Sequence, residues 1–310
     1  MRHSRLSLCF FLSGSVAWLA AAGFAVEQKP DRVIITDSGR PVAVYVFRDE
    51  KIPRPYFAHV HAPGGIQVTR NHPPVAGVDA MDHDTLHPGI WMGFGKVSGQ
   101  DFWRNKAPIV HARFVKKPAV RGGRVTFTAE NEFRATDGQL MSRQISRVTL
   151  AARPAGYLLI WEAEFKPEQR NLVFGDQEEM GLGIRVATPI TVKQGSGTIL
   201  DAAGRRNEPE VWGNAAEWCD YSGTIEGRNA GITIMGHPRN FRQNRHHARN
   251  YGALVANPFG QESFRKGPAS EVTVKPGESL RLRYGVLLHS GPKDAAPDLK
   301  AAFADFVSQP

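Results

Sequence analysis

Histidines, aspartates and tryptophans gather between His72 and Ala107, among glycines and prolines too frequent for a regular element. Within that stretch Asp82-His83-Asp84-Thr85-Leu86-His87 puts two imidazoles and two carboxylates into six positions. A histidine titrating near neutrality beside a carboxylate that fixes its tautomer is a general base. The same donor set suits zinc, manganese or iron. The other reading is a polar turn in which Asp82 or Asp84 caps backbone amides. Chemistry is the favoured reading, because Trp91 and Trp103 follow within reach.

His59 and His61 stand two residues apart, so in an extended segment both rings would point to one face, as two ligands or as a paired acid and base. One packed and one solvated ring would fit the spacing equally well. Trp91, Phe102 and Trp103 are either a stacking platform for a sugar ring or core. The run Asp101-Phe102-Trp103-Arg104-Asn105 alternates polar and aromatic groups beside the histidine loop. Glu178 and Glu179 precede Met180-Gly181-Leu182-Gly183, where a strand is expected to start, and a carboxylate at a strand mouth is an acid, a base or a ligand. A second polar and aromatic group holds Asp220, Tyr221, His237, His247 and Tyr251, with Tyr as proton donor and Arg239 or Arg249 as charge clamp. Cys219 has no neighbour that would lower its thiol pKa, so it is not read as a nucleophile.

The elements that must position these residues are strands. Val33-Ile34-Ile35 and Val42, Val44 and Val46 alternate with period two. Similar patterns recur at Val125 to Ala129, Tyr157 to Phe165, Ile184-Val186, Ile232-Ile234, Val272-Val274 and Leu280 to Leu288. Turn signals separate them at Gly122-Gly123, Asp137-Gly138, Pro154-Ala155-Gly156 and Lys275-Pro276-Gly277. One helix is expected, opened by Pro297 and Asp298, with Leu299, Phe303 and Phe306 on one face. Strands joined by turns rather than by helical crossovers predict an all-β fold, a large antiparallel β-sandwich with a short C-terminal helix.

Composition bounds the rest. The chain has 310 residues, 41% hydrophobic and 22% charged, enough for a real core. Arg2, His3 and Arg5 precede an apolar run from Leu6 to Phe24 with small-residue exits at Ala20-Ala21-Ala22 or Gly23-Phe24-Ala25, which reads as a secretory signal over residues 1–25. A retained membrane anchor is the alternative. Residues 26–310 are then a single domain in the periplasm or outside the cell, without a membrane partner once the signal is cleaved. Cleavage removes Cys9 and leaves Cys219, so no intrachain disulfide forms. The net charge of +9 is spread along the chain, and export argues against a nucleic-acid partner. No GxSxG elbow, phosphate loop, HExxH or Rossmann glycine fingerprint is present.

The segments PYFAHVHAPGGIQVTRNHPP, DHDTLHPGIWMGFGKVSGQDFWRNKA, EEMGLGIRVATPIT, EWCDYSGTIEGRNAGITIMGHP and HARNYGALVANPFG together resemble a family of exported bacterial proteins of unknown function that carries the label methane oxygenase PmoA-like. The resemblance implies a fold similar to the galactose-mutarotase-like supersandwich and an association with sugar oxidoreductases. Many relatives have an Asp-His-Pro-His-His loop. Here Asp82 and His83 are followed by Asp84-Thr85-Leu86-His87, which leaves open whether His87 replaces one of the adjacent histidines.

The expectation is a carbohydrate-active enzyme using acid–base chemistry on a glycoside or keto-sugar, with a small-molecule or oligosaccharide substrate. His83, His87, Glu179, Asp220, Tyr221 and His237 would act as catalytic groups. Trp91, Asp101, Trp103, Arg104, Arg239, His247 and Tyr251 would bind substrate. The alternatives are a metal-dependent hydrolase or oxygenase, its divalent ion held by His59, His61, His83 or His87, and a non-catalytic sugar-binding protein.

Overall fold

The computed structural model describes residues 23–310, so the expected secretory signal over residues 1–25 lies, up to Ala22, outside the described residues. Twenty strands form two eight-stranded sheets and two small ribbons. The first sheet runs, edge to edge, β1 (Phe24–Gln28), β2 (Arg32–Asp37), β3 (Arg40–Val46), β4 (Tyr56–Ala58), β7 (Ile90–Phe94), β13 (Met180–Arg185), β18 (Ala253–Asn257) and β17 (Arg245–Ala248). The second runs β14 (Thr198–Asp201), β15 (Trp218–Ile225), β16 (Arg228–Gly236), β20 (Leu280–Pro292), β11 (Gly156–Pro167), β10 (Leu140–Arg153), β9 (Arg124–Arg134) and β8 (Ile109–Arg121). The ribbons pair β5 (His61–Ala62) with β6 (Ile66–Gln67) and β12 (Leu172–Phe174) with β19 (Val272–Val274). Every pairing between neighbours in the sheets is antiparallel.

Period-two alternation explains why the sheets stack. Val33, Ile35 and Tyr45 of the first sheet, and Phe127, Trp161, Leu282 and Val286 of the second, point into one shared apolar layer. Aromatic rings lock the layers together: Tyr45 lies 4.8 Å from Phe127, and Phe57 meets Trp161 edge-on at 5.3 Å. The fold is the antiparallel β-sandwich that the strand and turn pattern predicts.

The expected C-terminal helix is α2 (Leu299–Ser308), whose N-cap Asp298 accepts a hydrogen bond from the Ala301 amide. It lays Ala302 and Phe306 on the outer face of the second sheet, against Leu158, Ile160, Met235 and Leu287. A five-residue helix, α1 (Asn207–Val211), was not expected, and a single turn is too short to show a periodic pattern. Among the described residues no helix is long and apolar enough to cross a membrane. The strand β1 begins at Phe24 and pairs with β2 as far as Phe24↔Asp37, so an exit after Ala25 would remove the start of a paired strand, whereas an exit after Ala22 leaves it whole.

Candidate functional site

The outer face of the first sheet carries the site. Along β7 and β13, Ile90, Met92, Phe94, Leu182 and Ile184 enter the sandwich, which sends Trp91, Gly93, Gly183 and Arg185 to the opposite face. There Trp91 and Trp103 join Val46, Ile52, Tyr56, Ala58 and Val255 in a separate apolar patch. Two glycines make room for the indoles. A Cβ on Gly183 would stand 2.7 Å from Trp91, and one on Gly93 would stand 3.0 Å from Trp103.

Three buried arginines fix the loop above this floor. The Arg54 guanidinium donates to the carbonyls of Trp103 at 2.8 Å and Leu86 at 2.6 Å. Arg70 donates to the carbonyls of Ala80, Asp82, His83 and His87. From the strand itself Arg185 grips the Asp82 carboxylate with both nitrogens, at 2.7 and 3.1 Å. Only 1–3% of each of these arginines is exposed, so their charge is committed to holding the loop. Clamped in this way, His83 adopts φ +50, in the left-handed region that non-glycine residues rarely adopt.

The clamp creates an aspartate–histidine pair. Asp82 Oδ2 lies 2.7 Å from His83 Nδ1, and since an ionised carboxylate only accepts, His83 donates from Nδ1 and keeps a lone pair on Nε2. Partial burial alone would raise the Asp82 carboxyl, but the Arg185 and His83 bonds outweigh it and hold the group well below the usual carboxylate range. The His83 side chain is 41% exposed, so its free nitrogen sits on a solvent-facing ring. Behind it the rings form a near-parallel column. His83 stacks on His87 at 4.6 Å, His87 on Trp91 at 4.9 Å, and Tyr251 flanks His83 at 6.0 Å, with neighbouring planes within 15°. The Arg185 guanidinium also lies 4.6 Å over the Tyr251 ring.

Glu178 and Glu179 lie at the β13 end of the same face. Arg104 meets Glu179 directly and Asp101 at 3.3 Å. His247 Nδ1 is 3.1 Å from Glu178 and 3.4 Å from Trp212 Nε1, while Arg249 Nε lies 3.3 Å from His247 Nε2. The two neighbouring acids are pushed apart. Burial raises the Glu179 carboxyl above its ordinary range despite Arg104, whereas the His247 hydrogen bond holds Glu178 below it. Cavities flank this centre on both sides. One of about 800 Å³ is lined by Asp84, Thr85, Tyr56, His59 and His72, and one of about 660 Å³ by Glu178, Glu208, Trp212 and Arg249.

The geometry therefore sets His83 against Tyr251, and Asp101, Arg104 and Glu179 together beside the Glu178–His247 pair, and it reassigns the rest of the expected set. His87 is 3% exposed and accepts from Arg185 at 3.4 Å through Nδ1, and burial pushes its pKa well below the ordinary value, so it is a neutral tile in the ring column rather than a base. Trp91 and Trp103 are at most 1% exposed and form the floor, where no sugar ring reaches them. Asp220 belongs to the other sheet, where it accepts from His289. Tyr221 is in the sandwich core, its hydroxyl donating to the Asn250 carbonyl at 2.9 Å. His237 packs edge-on against Phe306, and Arg239 is exposed beside it, both at the α2 end of the second sheet. His59 sits at φ +49, which breaks the extended alternation, so its ring and that of His61 do not form a same-face pair. His61 Nδ1 is instead bonded to the His59 carbonyl at 2.6 Å. Among the described residues no three His, Cys, Asp or Glu side chains converge to hold a metal ion, so His59, His61, His83 and His87 do not make a metal centre. Cys219 is buried, and burial raises its thiol well above the usual range.

Reasoning from sequence missed Arg54, Arg70, Arg185 and the half-buried Trp212. A signal existed for Arg185: a lone charge ending the apolar run Met180-Gly-Leu-Gly-Ile is a buried cation with a partner to find.

Residues 32–303 match the model of a family of unknown function, DUF6807. This chain is a member of DUF6807. The match carries no methane-oxygenase description, so the PmoA-like label gains nothing from it. No curated protein matches the sequence. Among solved structures the chain is similar to heparan sulfate lyase HepC from Pedobacter heparinus, at 11% identity and a TM-score of 0.37, over 89% of this chain and 36% of that one. It is also similar to a galactose mutarotase related enzyme from Lactobacillus acidophilus, at 10% identity and a TM-score of 0.37, over 88% of this chain and 99% of that one. The DUF6807 chain thus spans about a third of the length of the lyase.

Proposed function

We propose that this DUF6807 protein is an exported enzyme that moves protons on a polyhydroxylated substrate, a glycoside or its keto derivative. The observation that carries the reading is the Asp82–His83 pair, a carboxylate fixing one imidazole nitrogen while the other is left free on an exposed ring. Arg104, Arg185 and Arg249 stand against Glu179, Asp82 and Glu178, so the face is dense in paired donors and acceptors. Such a lining suits a neutral sugar ring better than an apolar or a highly anionic substrate. Two neighbouring carboxyls with oppositely shifted pKa values are the expected mark of an acid beside an anchor.

On a keto-glycoside the carbonyl acidifies the adjacent C–H. His83 Nε2 takes that proton, and Glu179, the carboxyl of the pair whose burial favours its protonated form, gives a proton to the departing oxygen as the C–O bond breaks. Asp82 stays ionised and stabilises the imidazolium that forms, and Tyr251 lies against His83 as a wall for the ring. The test is a panel of glycosides and keto-glycosides assayed with the wild type, His83→Ala and Asp82→Asn. Each substitution should lower kcat by about 10²- to 10⁴-fold, the usual worth of a positioned base. Full activity in His83→Ala on a substrate the wild type turns over would remove His83 from the reaction.

A further inference from the structure

The sheet face that carries His83 continues past it as an apolar floor. On β2, β3 and β4, Val33, Ile35, Tyr45 and Phe57 enter the sandwich, which turns Ile34, Val44, Val46, Tyr56 and Ala58 to the outer face. These five side chains line the cavity of about 800 Å³. Ile34 and Val44 are only half-buried, so apolar surface is left open to an occupant. The volume is in the range of small-molecule sites. The hollow begins one residue from His83, because Asp84 and Thr85 of the same loop wall it.

The polar edge of the hollow suits hydroxyl groups. His59 and His72 stand there, and His72 is held edge-on against the Tyr56 ring at 5.2 Å. Burial lowers both imidazoles, His72 to about 4, so at neutral pH each is uncharged, with one nitrogen a donor and the other an acceptor. Of the His72 ring only Nδ1 is enclosed without a partner, which leaves Nε2 to the cavity. A hydroxyl answers either tautomer, since it both donates and accepts, whereas a carboxylate or an ammonium answers only one. Asp84 is exposed, and with Oδ1 taken by the Thr85 amide at 2.8 Å its Oδ2 is open to a donor. Asp49 is already used, by the Tyr56 hydroxyl at 2.7 Å and by the amides of Lys51 and Ile52. An apolar floor facing an edge of hydroxyl partners is the complement of a sugar ring, which has an apolar C–H face and a hydroxylated rim. The cavity on the other side of the centre is walled instead by ion pairs, Arg249 with Glu208 at 2.9 Å and with Glu178 at 3.4 Å, which a neutral ring would strip of water at a cost.

We infer that the hollow over Ile34 and Val44 is the subsite for a second sugar residue, so that the substrate is a disaccharide or longer glycan with one ring at His83 and the next beside His72. The inference rests on the reading that a sugar occupies the His83 site. Calorimetric titration of the protein would compare the methyl glycosides of glucose, galactose, mannose and xylose with the 1,4-linked disaccharides of the same sugars. At least one disaccharide should bind about tenfold or more tightly than the methyl glycoside of its own sugar. Ile34→Trp, which fills the floor from a half-buried outer position, should bring the two affinities close to equality, and His72→Ala should weaken the disaccharide alone. Equal affinities in the wild type, or a preference untouched by Ile34→Trp, would overturn the subsite while leaving a sugar at His83 standing. Binding of no sugar in the series would remove the sugar reading at His83 and the subsite with it. If Ile34→Trp shows no cooperative thermal transition, Val44→Trp and His72→Ala decide in its place.

Discussion

Glu178 and Glu179 are chain neighbours with opposed environments, and that opposition divides their work. A general acid must hold its proton at working pH, so activity should fall as pH rises through the raised pKa of Glu179. Glu179→Gln should lower kcat by about 10²-fold or more and abolish the alkaline limb. Glu178→Gln should keep that limb and act chiefly on KM, by releasing His247 and Arg249. A pH profile of kcat for both variants separates the roles, and loss of the alkaline limb in Glu178→Gln alone would reverse them. At this scale the sequence was half legible. A pair of carboxyls at a strand mouth marked the place, but which of the two is raised and which lowered depends on burial and on His247, brought in by β17 from almost seventy positions away in the chain. The Asp82–His83 pair was legible from adjacency, whereas the neutral role of His87 was not, because its burial under the ring column is a tertiary fact.

Strands do the positioning, and β13 does most of it. It carries Arg185, which orients Asp82, and Gly183, whose missing Cβ lets Trp91 lie flat beneath His87. Gly183→Ala is expected to push the indole out of place and cost about 1–3 kcal/mol by overpacking, seen as a lower urea midpoint together with altered tryptophan fluorescence. An unchanged midpoint would mean that the floor yields without consequence for the column. Trp91 and Trp103 illustrate why the platform reading failed. Aromatic spacing is the same for a sugar platform and for a floor, and only the partners from β3, β4 and β18 decide between them. The strand β1 makes a second claim at this scale. Its pairing with β2 from Phe24 onward, with Phe24 packed 5.6 Å from Tyr157, makes cleavage after Ala22 the exit that preserves the sheet. On the proposal that the protein is exported, its intact mass should correspond to a chain starting at Gly23, and a start at Val26 would show that the first two residues of β1 are dispensable.

Across the whole molecule, burial has collected histidines that resist protonation. Burial lowers His72, His111 and His246 to about 4 each, and His246 is fully enclosed with neither ring nitrogen bonded. In the unfolded chain these rings take up protons near 6.5. Below that value the unfolded state binds more protons than the folded one, so stability is present above about pH 6.5 and is lost as pH falls towards 4. The sign is the same for Asp82, whose depressed carboxyl adds a further loss below the ordinary carboxylate range. Each such histidine should contribute a slope of about 1.4 kcal/mol per pH unit in this window. Thermal unfolding followed from pH 7 to pH 4.5 should therefore show a steep fall in Tm. In His246→Leu, which replaces an unbonded ring with an apolar side chain, the proton uptake on unfolding should drop by about one. Equal pH slopes in the two proteins would mean that His246 is protonated within the fold. The burial that lowers these histidines also lowers His87, so of the two imidazoles in the ring column only His83 is exposed.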